Sequence, residues 1–136
     1  MSDRDLKCKV LLVDDDDQIL RSLRVYLELE NYVVEVAENG IVAMEKLKSF
    51  QPGIVVLDIM MPEMDGFEVL EKMKQDENTR KIPVIMLTAK GQDVDVLKGY
   101  QMGAASYMTK PFNLNELVEN IELVLNTEYL PTPGDK

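Results

Sequence analysis

The chain has 136 residues and a formal net charge of −10. This length fits one domain, because most domains contain about 100–150 residues. The acidic excess argues against direct binding to nucleic acid or to an anionic membrane surface, both of which attract clustered lysine and arginine. The sequence has no histidine and one cysteine, which excludes histidine-based catalysis, an internal disulfide and a cysteine zinc site.

Nothing in the sequence predicts insertion into a membrane or export. No apolar run approaches the roughly 20 residues of a membrane-spanning helix. The charged first residues, Met1–Asp5, lack the apolar centre of a signal peptide. We therefore expect a cytoplasmic protein.

Five short runs predict β-strands, and the first, third and fourth are almost entirely apolar, as in strands covered on both faces. They are, in chain order, Lys9–Val13, Val33–Ala37, Ile54–Leu57, Val84–Leu87 and Ser106–Thr109. Apolar residues at helical spacing follow each run. These sets are Ile19, Leu20, Leu23, Tyr26 and Leu27; Ile41, Met44 and Leu47; Phe67, Leu70 and Met73; Val94, Leu97 and Tyr100; and Leu114, Leu117, Val118, Ile121, Val124 and Leu125.

The last helix has the clearest pattern, and Asn113 and Glu116 have capping-box spacing at its start. The fourth is weaker and is interrupted by Gly99. Five strand–helix units in succession predict an α/β fold, with helices on both faces of a parallel sheet. We expect one domain over residues 1–127 and, over residues 128–136, a flexible tail or the start of a linker, because Pro131, Pro133 and Gly134 lie there.

Polar residues follow the predicted strands. The first strand runs into Asp14–Asp17, the third into Asp58, the fourth into Thr88 and the fifth into Lys110. In open α/β sheets, ligands bind outside the carboxyl ends of the strands. We therefore expect these carboxylates, the hydroxyl and the ammonium group to meet at one edge of the sheet.

Clustered carboxylates repel one another unless a cation neutralises them. Without histidine or further cysteine ligands, the expected cation is a hard one such as Mg²⁺, which binds carboxylates together with phosphate oxygens. Asp58 could then act as a nucleophile and form an aspartyl phosphate, while Lys110 and Thr88 contact phosphoryl oxygens.

Four segments resemble the signature blocks of bacterial response-regulator receiver domains. They are Val10–Asp16, Leu57–Gly66, Leu87–Ala89 and Lys110–Phe112. Their order and spacing agree with the family, and the resemblance covers about residues 7–127. It implies a flavodoxin-like (βα)5 fold, doubly wound, with sheet order 2-1-3-4-5. It leaves open whether the chain is a single-domain regulator of the chemotaxis type or a piece of a larger regulator.

The resemblance implies that Asp58 accepts a phosphoryl group from the phosphohistidine of a sensor kinase or phosphotransfer protein. It also implies a Mg²⁺ (or Mn²⁺) site. Asp15, Asp58 and the Met60 backbone carbonyl match the direct ligands of the ion, and Asp14 matches a residue that binds it through water. Such a chain is a signalling switch that catalyses only its own phosphorylation and dephosphorylation, and is not otherwise an enzyme.

Three further residues match the family's switch. Lys110 matches the lysine that pairs with the acceptor carboxylate and then with the phosphoryl group, and the bond to Pro111 matches the family's cis peptide. Thr88 and Tyr107 match the switch residues. Phosphorylation would reshape the face formed by the fourth helix, fifth strand and fifth helix (roughly residues 92–126), where a downstream protein or output domain docks. The resemblance leaves open whether phosphorylation causes dimerisation.

Met60 and Lys90 match the two positions that tune the lifetime of the aspartyl phosphate, and because Met60 positions water poorly we expect a long-lived phosphoryl group. The segment after Gly103 departs from the family, since Ala105 and Ser106 stand where acidic residues are frequent. We interpret this departure as surface variation.

Other residues of the pattern have plainer interpretations. Asp17 is interpreted as part of a helix start, where acidic side chains favour the helix dipole. For Asp16 this interpretation and a role at the site have equal weight. Asp65 is interpreted as a cap or turn residue before Gly66.

Three alternative functions are weaker. A hydrolase of the haloacid-dehalogenase type needs a second aspartate two residues after the nucleophile, and Met60 stands there. A flavodoxin-like flavin binder needs a phosphate loop rich in serine, threonine and glycine, whereas Asp14–Asp17 would repel phosphate. A receiver that works without phosphorylation is disfavoured because Asp58, Asp15, Thr88 and Lys110 are all present.

Overall fold

The computed structural model describes residues 6–89 and 93–127. Five parallel strands form one sheet within these residues: β1 (Lys9–Val13), β2 (Val33–Ala37), β3 (Ile54–Asp58), β4 (Val84–Ala89) and β5 (Ser106–Lys110). The strand order is β2-β1-β3-β4-β5, which confirms the order implied by the resemblance. Lys90 and the predicted tail over residues 128–136 lie outside the described residues.

Helices connect the strands and cover both faces of the sheet. They are α1 (Asp17–Leu29), α2 (Gly40–Ser49), α3 (Gly66–Gln75), α4 (Asp93–Gln101) and α5 (Leu114–Thr127). No helix in the described part of the chain has both the length and the apolar composition that crossing a membrane requires. All five strands lie where the sequence predicts them, but the last three extend further and include Asp58, Thr88 and Lys110.

The sheet separates two hydrophobic clusters. On one face, α1 and α5 pack on the strands, and the predicted apolar side of α5 is confirmed, with Leu117 and Ile121 fully buried. On the other face, α2 and α3 pack through residues such as Leu47 and Leu70. Because successive strand residues point to opposite faces, each strand contributes to both clusters.

The apolar set that indicates α2 in the sequence, Ile41, Met44 and Leu47, is only partly buried in the structure. Ile41 is 52% exposed, whereas Gly40, Ala43 and Leu47 are buried. The reason lies at the start of the helix, where a β-carbon on Gly40 would come within 2.8 Å of the Met64 side chain. The backbone of Gly40 therefore packs directly against the Met64 side chain in the loop before α3. Ile41, one residue later, faces outward.

The set indicated for α4 predicts the helix, but two of its members, Leu97 and Tyr100, are 60% and 49% exposed. Gly99, which seemed to interrupt the pattern, is the buried residue among residues 96–101, where the structure describes the side chains of this helix. A β-carbon there would have Met86 and Phe67 among its neighbours, at 3.7 and 4.0 Å. Thus α4 approaches the sheet at Gly99, and the large side chains of Leu97 and Tyr100 stay at the periphery.

Three helix starts carry the caps that the sequence indicates. Asp16 accepts hydrogen bonds from two backbone N–H groups at the start of α1. Asp65 and Glu68 form a capping box at α3, and Asn113 and Glu116 exchange the same pair of bonds at α5. These caps satisfy backbone donors that have no partner within their helices.

Candidate functional site

The carboxyl ends of four strands meet at one edge of the sheet. Asp58 on β3 is paired in register with Leu87 on β4, and Thr88 is paired with Thr109 on β5. β1 lies on the other side of β3, so that Asp14 and Asp15 follow it at the same edge. Parallel pairing therefore brings together polar groups that are up to 96 residues apart in the sequence.

Three carboxylates converge there. Asp14, Asp15 and Asp58 each offer an oxygen, and these oxygens lie within 4.8 Å of one another. Asp14 and Asp58 are almost fully buried, with 1% and 4% of their surfaces exposed, whereas Asp15 is exposed. Solvent therefore reaches the cluster on the side of Asp15, while Asp14 and Asp58 lie in the protein interior.

Lys110 provides the cation of the site. Its Nζ donates to Asp14 Oδ2 at 2.8 Å and lies 3.4 Å from Asp58 Oδ1. Asp14 Oδ1 also accepts the backbone N–H of Asp16 at 2.9 Å, which fixes the carboxylate. In this structure Lys110 therefore binds Asp14 more closely than the expected acceptor Asp58, and the bond to Pro111 is cis as the resemblance implies.

The site perturbs two pKa values. Burial and then the charge of Asp14 raise the pKa of Asp58 from 3.8 to about 6, against the opposing effects of Lys110 and the Met60 backbone N–H. Burial alone lowers the pKa of Lys110, but its hydrogen bond to Asp14 and the charges of Asp58 and Asp14 outweigh burial and raise it. Both results reflect an excess of negative charge, since three carboxylates face one ammonium group.

Thr88 and Tyr107 lie on the same side of the sheet, on neighbouring strands. Thr88 is 2% exposed, and its hydroxyl makes a long hydrogen bond, 3.4 Å, to the Ala89 carbonyl oxygen. Tyr107 pairs in register with Met86, two residues before Thr88, and is partly buried against the α2–α3 cluster. The hydroxyl of Thr88 is thus weakly engaged and close to the acidic edge.

The remaining residues of the predicted site divide into three groups. Met60 follows Asp58 in the loop before α3, and its side chain is 66% exposed. Lys90 falls outside the described residues. Asp16 and Asp17 belong to α1, the first as its cap and the second paired with Arg21, and neither joins the carboxylate cluster.

Gly66 is a site residue that the sequence interpretation missed. Its backbone N–H donates to the Ile59 carbonyl at 2.9 Å, and a β-carbon would lie 2.4 Å from the Asp58 backbone oxygen. The start of α3 can therefore approach the end of β3 only without a side chain at this position. A glycine in the first turn of a predicted helix, directly after a cap residue, is the signal that could have indicated this contact.

A groove of about 580 Å³ lies beside the carboxylates. Asp16 and Lys110 are its charged lining residues, and most of the remaining lining is apolar and includes Ile19 and Phe112. The groove therefore joins an apolar surface to the charged edge of the sheet.

Comparison with known proteins assigns this arrangement to a family. The model of the "Response regulator receiver domain" matches residues 10–122. The chain belongs to this family. Receiver domains are the phospho-accepting domains of response regulators in two-component signal transduction.

Two curated relatives give the level of similarity of this receiver domain. It is 41% identical over 124 residues to the "Transcriptional regulatory protein CpxR homolog" of Haemophilus influenzae, with coverage of 91% of this chain and 53% of the relative. It is 38% identical over 124 residues to the "DNA-binding dual master transcriptional regulator RpaA" of Synechocystis, with coverage of 90% and 52%. The chain thus spans about half the length of the curated relatives it matches.

Solved structures agree with the receiver fold. A putative response regulator from Chloroflexus aurantiacus superposes with a TM-score of 0.83 at 31% identity, covering 88% of this chain and 98% of that chain. The chemotaxis protein CheY4 of Vibrio cholerae superposes with a TM-score of 0.81 at 30% identity, covering 85% and 97%. The flavodoxin-like fold with order 2-1-3-4-5 is therefore confirmed.

Proposed function

We propose that Asp58 is the phosphoacceptor of this receiver domain and that its phosphorylation controls a partner or output. The observation that supports this most directly is the convergence of Asp14, Asp15 and Asp58 within 4.8 Å, together with Lys110 bridging two of them. Asp58 is buried in this cluster at the end of β3, and the open side of the cluster is where a phosphoryl donor can approach.

The donor set fits a divalent hard cation. The side chains that could bind it, among the residues that the structure describes, are all carboxylates, and three carboxylates with one ammonium group leave an excess of two negative charges. Asp15 and Asp58 would bind Mg²⁺ or Mn²⁺ directly, with the Met60 carbonyl as a third ligand and Asp14 holding a bound water. The ion would neutralise the charge that otherwise repels a phosphoryl group.

The phosphoryl transfer needs an ionised Asp58. With its pKa near 6, the carboxylate is mostly ionised at pH 7 even without a cation. A carboxylate oxygen attacks phosphorus, the bond between phosphorus and the imidazole nitrogen of a phosphohistidine breaks, and the imidazole takes up a proton from solvent. Because the chain has no histidine, the donor histidine belongs to a sensor kinase or phosphotransfer protein.

Lys110 and Thr88 would recognise the new phosphoryl group. Lys110 already lies 3.4 Å from Asp58, and moving its ammonium group from Asp14 to a phosphoryl oxygen exchanges one anion for another. The Thr88 hydroxyl gives up only a long hydrogen bond when it turns to the phosphoryl group. The phosphoryl group adds roughly −1.5 to −2 charge, which favours both rearrangements.

The output would follow from Tyr107. Movement of Thr88 frees space on its side of the sheet, and Tyr107 turns inward into that space. This rotation reshapes the face formed by α4, β5 and α5, where a downstream protein or output domain would bind. The chemistry of Asp58 then serves a switch and does not turn over a free substrate.

The phosphoryl group is expected to be long-lived, because the exposed thioether of Met60 orients water poorly. A phosphate-release assay that found loss within seconds would contradict this part of the proposal.

Phosphorylation by acetyl phosphate in the presence of Mg²⁺ tests the central proposal. Wild type should gain the mass of one phosphoryl group, and Asp58→Ala should gain none. Asp17→Asn is the matched control, since Asp17 is an exposed aspartate of the same acidic run that lies outside the cluster, and it should be modified like wild type. Modification of Asp58→Ala at the wild-type rate would refute the proposal.

A further inference from the structure

The ring of Tyr107 has one aromatic neighbour in the part of the chain that the structure describes. Its ring centroid lies 5.1 Å from that of Tyr100, and the two planes are inclined at 77°, which is an edge-to-face contact. Tyr100 lies on α4 and is 49% exposed, and partial burial together with the Tyr107 phenol raises the pKa of Tyr100. The pair therefore joins the edge strand β5 to α4.

The side chains of α4 are described for residues 96–101. Within this range the buried residue, Gly99, has no side chain, and Leu97 is 60% exposed. The Nζ of Lys98 lies 4.4 Å from the centre of the Phe67 ring, which ties the helix to α3 and not to β5. Among the side chains described for α4, Tyr100 is thus the one that forms a ring contact with β5.

We propose that Tyr100 is a positioning residue for Tyr107. Its ring holds Tyr107 in the orientation seen in this structure, against α4, and inward rotation of Tyr107 breaks the edge-to-face contact. Tyr100 thereby stabilises the unphosphorylated state of the switch, and this inference rests on the proposed function of Asp58 and Tyr107.

The geometry sets the size of the effect. Edge-to-face pairs at this separation stabilise by an amount that corresponds to a factor of about two to ten in an equilibrium constant. A variant that loses the ring of Tyr100 should favour the inward state by this factor. Because coupling between two events is reciprocal, the same factor applies to the affinity of any ligand that prefers the inward state.

Titration with beryllofluoride in the presence of Mg²⁺ tests the inference, with this complex as the mimic of the phosphoryl group. Tyr100→Leu should bind beryllofluoride about two- to tenfold more tightly than wild type. Tyr100→Phe keeps the ring and should bind like wild type. In a Tyr107→Leu background, adding Tyr100→Leu should change the affinity no further. Tyr100→Met serves as a second ring-free variant, and circular dichroism confirms folding of each.

Three results would overturn the inference: equal affinity of Tyr100→Leu, Tyr100→Met and wild type; a shift of Tyr100→Phe as large as that of Tyr100→Leu; or persistence of the full shift when Tyr107 is already leucine. A wild type that binds no beryllofluoride would instead refute the proposed function, and the inference with it. The two failures are therefore distinguishable, because only the second abolishes binding in the wild type.

Discussion

Removing the charge of Asp58 is expected to stabilise the metal-free protein at neutral pH. Burial and Asp14 raise the pKa of Asp58 from 3.8 to about 6, so the folded state binds this proton more tightly than the unfolded chain does. Stability from this group therefore falls as the pH rises from about 4 to about 6, and is constant above that range. At 1.36 kcal/mol per pKa unit, the cost of the ionised group at neutral pH is about 3 kcal/mol.

Asp58→Asn keeps the shape of the side chain and removes its charge. In EDTA at about pH 7.5, we expect its free energy of unfolding to exceed that of wild type by about 3 kcal/mol. At about pH 4 the gain should fall below about 1 kcal/mol, because Asp58 is then protonated in the folded wild type. Urea unfolding monitored by circular dichroism measures both differences, provided that the denaturant slopes agree.

The matched control is Asp17→Asn, because Asp17 is exposed and pairs with Arg21 on the surface. Its free energy of unfolding should differ from wild type by less than about 1 kcal/mol at both pH values. The reasoning is refuted if Asp58→Asn is no more stable than wild type at about pH 7.5, or if its gain is the same at both pH values.

Two further predictions concern the metal and the loop behind the acceptor. Mg²⁺ at about 100 times its dissociation constant should stabilise wild type by about 2.7 kcal/mol. In thermal unfolding, Asp15→Asn should lose most of this effect and Asp17→Asn should retain it; an equal response of the two variants would contradict the assigned ligands. Gly66→Ala should lower the free energy of unfolding by about 1–3 kcal/mol, because its methyl group overlaps the Asp58 backbone oxygen. Gly99→Ala is the control, because its methyl group would have no neighbour closer than 3.7 Å. In urea unfolding it should be neutral or stabilise by up to about 1 kcal/mol. Similar losses of stability in Gly66→Ala and Gly99→Ala would argue against the overlap at Gly66.

The strands and the polar edge of the sheet could be predicted because they depend on local sequence and connectivity. Apolar runs such as Val10–Val13 have the composition of strands that are buried on both faces. Once strands alternate with helices, parallel pairing requires Asp58 and Lys110 to lie at the same edge, whatever the details of packing. The family resemblance then adds the strand order, which connectivity alone leaves open.

The rotation of two helices about their axes could not be predicted in the same way. Ile41 is more hydrophobic than its neighbour Gly40, but the close approach of Gly40 to Met64 decides which side of α2 is buried. Gly99 on α4 is a second case, because a glycine carries no hydrophobic signal and yet provides the contact with Met86. Hydrophobic periodicity detects large apolar side chains. It does not detect a helix whose backbone packs directly against a neighbouring side chain at a glycine.

The sequence also could not predict which of the two carboxylates lies nearer to Lys110. Asp14 and Asp58 both lie within 4.0 Å of its ammonium group, at 2.8 and 3.4 Å, and the nearer carboxylate is the one that also accepts the Asp16 N–H. Motif matching assigns a residue to a role but does not rank contacts that differ by a fraction of an ångström.

The division of the interior into two clusters has a consequence for how such a domain can vary. Thr88 and Tyr107 lie on the face covered by α2, α3 and α4, whereas the packing of α1 and α5 occupies the opposite face. Among the described residues, the two clusters have no side chain in common. Core substitutions among the contacts of α1 can therefore be compensated within that cluster while Thr88 and Tyr107 keep their packing. The helix α5 is the exception, because it also belongs to the face that the switch is proposed to reshape.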